Sequence, residues 1–321
     1  MVNSQAHSAA RQDNLASGAS RARRAFLSRD FWVKASFILP GLFYLFCLSA
    51  YPIFYNGLMS LQHFTVASFL NGAAPFVGLA NYADLFRDSL FGQAFWRTLI
   101  FSALSIAGQM GAGMALALFF WRPFPLSRPM LALLLVPWLL PLVVSSTVFR
   151  WMFDQDAGIL NYALRHLHIV SERLPWLTDP TYAMASVVIN NIWVGIPFST
   201  IVFLGGLRSL PNDMFEAAQI DGAGPLQRFW HITLPSLRPL TGVVFALSVT
   251  YTVKVFDLIF ILTAGGPANA TQTLATYTYK LSFEHMDFGH GAAVGNFLIL
   301  ISLGFSLFYL RSIRRNNEEG A

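Results

Sequence analysis

The chain has 321 residues, of which 55% are hydrophobic and 12% charged, with a formal net charge of +5. A soluble domain carries about 25% charged residues, so this composition excludes an ordinary soluble protein. The basic residues are scattered and form no patch, which argues against nucleic acid as the partner.

Residues 1–30 are rich in Ala, Ser and Arg and have no apolar core. They are predicted to form a disordered cytoplasmic tail. Six apolar runs follow, at about 35–58, 94–120, 129–151, 182–206, 239–262 and 290–311, each near the ~20 residues needed to cross a bilayer. The first run is long for a signal peptide and lacks a small-residue cleavage site, so it reads as a retained helix. It holds the single cysteine, Cys47, which has no intramolecular disulfide partner. Residues 31–315 are thus predicted to be one six-span, all-α integral membrane domain, with a short cytoplasmic tail at 316–321.

Orientation follows from Lys and Arg. The N-terminal tail, the loop between spans two and three, the loop between spans four and five, and the C-terminus together carry fourteen of the 21 basic residues. The positive-inside rule places these segments, and both termini, in the cytoplasm.

The cytoplasmic loop at 207–238 contains "PNDMFEAAQIDGAGPLQRFWHITLP". Pro211 suits a first helical position and Asp213 the positive end of the helix dipole. Met214, Ala217 and Ala218 recur at helical spacing. Gly222 suits a left-handed helix stop. A second short helix is predicted from Pro225, with Leu226, Phe229 and Trp230 on one face and Pro235 ending it. From these features alone the segment reads either as an amphipathic hairpin on lipid or as a docking element for another protein.

The pattern Glu216, Ala217, Ala218, Gly222, Ile232, Leu234 and Pro235, joined by Asp221 and Ala223, resembles the EAA motif. That motif marks the membrane subunits of binding-protein-dependent ABC importers. "DLIFILTAGGPANATQTLATYTY" and "LPGLFYLFCLSAYPIFYNGLMSL" further resemble carbohydrate-type permeases similar to the larger maltose-transporter membrane subunit. The resemblance implies that residues 216–235 couple the chain to an ATPase. It also implies a second homologous permease, two ATP-binding subunits using ATP with Mg, an external solute-binding protein and a small carbohydrate, all at a bacterial inner membrane.

The chain contains no phosphate-cradling G-x-x-x-x-G-K-[ST] loop, so hydrolysis is expected in a partner and this chain is expected to be a transport subunit, not an enzyme. No resident cofactor is expected. The seven histidines form no metal-ligand pattern.

Lys254 and Asp257 stand within an apolar run, where ionisable groups mark a functional site or an internal pair. On a helix they share a face and can neutralise each other, or Asp257 can pair with a neighbouring subunit. Alternatively, Lys254 donates to solute hydroxyls while Tyr251 offers an aromatic face. The resemblance implies solute contacts at Val194, Gly195 and Phe198 before the loop, and at Leu247, Thr250, Tyr251 and Lys254 after it. Asn190, Asn191 and Trp193 are further candidates, with helix cross-linking the other role open to the asparagines. The competing function is an ion-coupled secondary transporter with Lys254 and Asp257 as the relay.

Overall fold

The computed structural model describes residues 29–319. The predicted tail at 1–30 lies outside the described residues except for Arg29 and Asp30, which are already helical. Among the described residues there is no strand, only two isolated bridges, Gln62 with Phe76 and Thr65 with Asp287. The described residues divide into a first unit ending at Leu58 and a second beginning at Met59.

The described part of the first unit is one helical run: α1 (Arg29–Leu45), a wide π-turn (Phe46–Ala50), and α2 (Tyr51–Ser60) as far as Leu58. Pro52 explains the wide turn. It lacks an N–H, so the ladder around it must loosen to accommodate a missing donor. Phe37 and Phe43 are 82% and 71% exposed, as suits a helix that meets hydrocarbon rather than water.

In the second unit, α3 (Val66–Asn71) and α4 (Ala80–Arg87) precede a long helix, α5 (Ser89–Trp121). At 1.5 Å per residue, its 33 residues give about 50 Å, longer than the hydrocarbon layer. The third predicted span is broken. Helices α6 (Ser127–Leu134) and α7 (Val136–Leu139) meet α8 (Leu142–Met152) at 99°. The break falls at Leu140, held extended (ψ 139°) because the following Pro141 disfavours the helical region for the residue before it.

After α9 (Ile159–His166) comes α10 (Pro180–Ser209), the fourth span. Its packing against α5 is the most extensive between any two elements. Glycines allow that approach: a Cβ at Gly113 would lie 2.4 Å from the Ser199 Cβ and 3.1 Å from the Thr200 backbone nitrogen. Small residues let membrane helices close to van der Waals distance where no hydrophobic force drives them together.

The fifth predicted span is also broken, and here the continuous-helix reading needs correction. Helix α14 (Arg238–Thr252) stops, residues 253–256 are irregular, and α15 (Asp257–Thr263) starts afresh. The two pieces have different partners. Val249 and Val253 pack with Ile106 of α5, whereas Leu258, Ile259 and Leu262 pack with Phe149 of α8 and with Phe153 just after it. The Arg150 guanidinium caps the far end of α15 by donating to the Ile261 carbonyl at 3.2 Å. Helix α16 (Leu274–Tyr279) and the last span, α17 (Phe288–Glu319), complete the unit. Among the described residues, four helices are long and apolar enough to cross a membrane, or up to six if each bent pair counts as one span.

Candidate functional site

Two places gather the residues singled out by sequence. The first is the segment after α10. Helix α11 (Asn212–Ile220) follows Pro211, and Gly222 (φ +79°) stops it. The Ala223 N–H returns 2.9 Å to the Ala218 carbonyl and the Gly222 N–H 3.0 Å to that of Gln219. This is the left-handed stop expected of glycine. No atom lies within 4 Å of a Cβ at Gly222, so conformation and not space selects it.

Helix α12 (Pro225–Arg228) then widens into a π-turn (Phe229–Thr233) before α13 (Leu234–Ser236). Pro235 therefore does not end the second helix. As at Pro52, it is accommodated by a wide turn just upstream.

Two aromatic anchors hold this hairpin. Phe215 is buried and meets the Trp121 ring edge-on at 4.9 Å. Phe229 packs into the core formed by the ends of α5 and α10 with Leu237. Leu226 and Trp230, predicted to share its face, are 70% and 57% exposed. Glu216, Ala217, Asp221, Gly222 and Pro235 are exposed, while Ala218, Ala223, Ile232 and Leu234 are half-buried. The segment thus presents a carboxylate and small side chains outward from an aromatic foundation.

The second place is a cavity of about 430 Å³ between α5, α7, α10 and the break after α14. Val194, Gly195, Phe198, Leu247, Tyr251 and Lys254 line it; Thr250 does not. The Thr250 hydroxyl instead donates 2.8 Å back to the Ala246 carbonyl. The Lys254 ammonium lies 5.5 Å from the Tyr251 ring centroid, within cation–π range. Lys254 and Asp257 form no ion pair among the described residues. The helix break separates them, so the i, i+3 geometry that would join them is absent, and both groups line the cavity.

Sequence reasoning overlooked Gln109. It is 5% exposed, lines the cavity, and its Nε2 donates 3.0 Å to the Asn191 carbonyl. A polar amide in an apolar helix was the available signal. The Asn191 Nδ2 is buried without a partner, and Asn191 also lines the cavity. Asn190 takes the cross-linking role: its Oδ1 accepts from Ser145 at 3.2 Å and its Nδ2 donates to Ser146 at 3.5 Å. Trp193 packs on Phe149 at 5.2 Å and stays out of the cavity lining. The wall is therefore mostly apolar and aromatic, with a few convergent amides and one group of each charge, the usual make-up of a small-molecule site.

Residues 109–317 match the family described as binding-protein-dependent transport system inner membrane component. The chain is 32% identical to the sulfoquinovosyl glycerol transport system permease protein SmoG of Agrobacterium fabrum, over 86% of this chain and 89% of that protein. It is also 32% identical to the trehalose/maltose transport system permease protein MalF of Thermococcus litoralis, over 74% of this chain and 79% of that one. Its fold is similar to that of a chain in a bacterial ABC transporter involved in the import of the acidic polysaccharide alginate, with a TM-score of 0.76 at 23% identity, covering 92% of this chain and 99% of that chain. With the family match spanning well over half of its length, the chain belongs to the inner membrane components of binding-protein-dependent transport systems and is a transport subunit.

Proposed function

We propose that this chain is one of two homologous permeases in an ATP-driven importer of a sugar, polyol or related solute, and that the cavity beside Tyr251 and Lys254 is its part of the path. The observation that carries this reading is that six of the seven contact residues implied by the resemblance line one cavity. Relatives named for sulfoquinovosyl glycerol and for trehalose/maltose support a carbohydrate solute. Lys254 and the Asn191 amide donate to hydroxyls, Asp257 accepts, and Tyr251 and Phe198 offer ring faces. Lys254 and Asp257 form no ion pair with each other among the described residues, and both line the cavity where they can meet solute.

The exposed hairpin at 211–236 docks an ATPase subunit on the cytoplasmic side, with both termini on that side. Two such subunits, burning ATP with Mg, draw the hairpins together and open the bundle outward to receive solute from the binding protein. ATP acts only through its differential affinity for the two states, so the hairpin must be rigidly joined to the spans. Phe215 on Trp121 and Phe229 in the core supply that joint. The test is ATP hydrolysis by the reconstituted complex as solute-loaded binding protein is added. Tyr251→Ala and Lys254→Met should weaken the stimulation while basal hydrolysis persists; stimulation identical to wild type in both would refute the assignment.

A further inference from the structure

Beyond the cavity, the loop that follows α15 encloses a second recess of about 260 Å³. It is lined among others by Phe260, Thr263, Asn269, Gln272, Lys280 and Glu284. The loop closes itself through backbone and threonine bonds. The Thr271 hydroxyl donates 2.8 Å to the Gly266 carbonyl and meets the Thr263 hydroxyl at 2.6 Å, and the Gln272 N–H donates 2.9 Å to the Asn269 carbonyl.

The Gln272 side chain takes no part in this closure. It is only 2% exposed, lines the recess, and its amide makes no hydrogen bond among the described residues. Room for it is provided by Gly265, where a Cβ would lie 2.2 Å from the Gln272 Oε1. Neither amide atom of Gln272 is among the fully enclosed atoms without a partner, so the amide opens onto the recess, where water or an entering solute meets its two donors and its acceptor. Around it stand the Lys280 ammonium, held only by a long 3.4 Å contact to Asn269, and the Glu284 carboxylate, which has no ion pair among the described residues. One group of each charge gives the recess no net sign, and Phe260 adds a ring face.

We infer that this recess is a second binding site for one ring of a neutral polyhydroxylated solute, which rests on the proposed carbohydrate reading of the cavity. Its volume lies below the ~300–1,000 Å³ usual for larger ligands, which fits a single ring. The position relates it to the path. Phe256 lines the membrane cavity and Phe260, one turn further along α15, lines the recess. The two rings stack at 5.0 Å and 24°, and Tyr279 lies 5.0 Å from Phe256 and 4.8 Å from Phe260. A packed cluster of three aromatic rings thus carries the wall of one site into the wall of the other.

The test uses thiol protection in the full reconstituted complex. Cys47, the one native cysteine, is replaced by Ser. Single cysteines are then placed at Ala268, exposed on the recess, or at Leu142, on the cavity wall. The probe is whichever sugar of a panel of hexoses, hexitols and disaccharides stimulates ATP hydrolysis most strongly. At about ten times its apparent Kd it should slow modification of Ala268→Cys by about tenfold. Gln272→Leu should remove that protection while leaving Leu142→Cys protected, and Lys280→Met on the rim should weaken it if Gln272→Leu prevents assembly. Protection at Leu142→Cys with none at Ala268→Cys would overturn the recess alone. No protection at either position would overturn the recess and the cavity reading together.

Discussion

The Gln109 side chain lies over Gly195 and donates to the carbonyl of Asn191, one turn earlier on the same helix. A Cβ at Gly195 would stand 2.2 Å from the Gln109 Cδ, so the amide fits only because that residue has no side chain. This pair fixes the floor of the cavity and the spacing of α5 and α10 at once.

Gly195→Ala should therefore destabilise the purified subunit by about 1–3 kcal/mol through overpacking. Gln109→Ala alone loses the hydrogen bond, worth about 1 kcal/mol. The double variant should be more stable than the sum of the two, with a coupling of about 0.5–3 kcal/mol. Thermal unfolding of the four proteins measures it, and strict additivity would mean that the two side chains do not meet.

The glycines of α5 should rank by what a methyl group would strike. At Gly113 it meets the Ser199 Cβ and Thr200 backbone, which cannot swing away. At Gly108 it meets the Ile192 Cδ1 at 2.3 Å, the end of a side chain that can change rotamer. At Gly111 it meets nothing within 4 Å. Gly113→Ala should lower the unfolding temperature most, Gly108→Ala less, and Gly111→Ala should be neutral or stabilising by up to about 1 kcal/mol from helix propensity.

In the hairpin, the residue that anchors the fold, Phe215, is separate from the proposed coupling residue, Glu216. Phe215→Ala empties the seat against Trp121 and should cost about 3–5 kcal/mol if the site does not collapse. Glu216 is exposed, so Glu216→Ala should leave unfolding within about 0.5 kcal/mol of wild type while the ATPase subunit no longer co-purifies. Retained co-purification would move the coupling role elsewhere in 211–236.

Asp287, just before α17, accepts from the His290 N–H at 3.1 Å and meets its Nδ1 at 2.8 Å. Burial favours its protonated form, but the bonds from His290 outweigh that and hold it below the ordinary value of 3.8. A depressed carboxylate stabilises the fold above its unfolded value, and this is lost as pH falls through the folded one. Unfolding of the wild type should thus show an extra acid sensitivity below about pH 4 that Asp287→Asn lacks, with the variant less stable at neutral pH. Parallel curves down to acid would remove Asp287 from the account.

Much of this architecture is legible in the sequence, and its gaps have physical causes. Apolar runs mark spans wherever one unbroken helix is long enough to cross a bilayer, as in α10. Pro141 announces the bend in the third span. The break at 253–256 has no such sign: Val253, Lys254, Val255 and Phe256 include neither Gly nor Pro. It arises because α14 and α15 pack on different neighbours, a tertiary choice that a one-dimensional pattern does not encode. The motif at 216–235 identifies the hairpin, yet which of its aromatics turns inward depends on the ends of α5 and α10. Gln109 and Gln272 are single amides whose meaning appears only once a cavity stands beside each.

In the proposed mechanism this chain passes solute on the strength of ATP hydrolysed by a subunit docked at 211–236. Its most direct test is solute uptake into proteoliposomes holding the whole complex, wild type against Glu216→Arg, with ATP inside or absent and ion gradients collapsed. Uptake is expected only with ATP and only in the wild type. Uptake by Glu216→Arg at the wild-type rate, or uptake driven by an ion gradient without ATP, would contradict it.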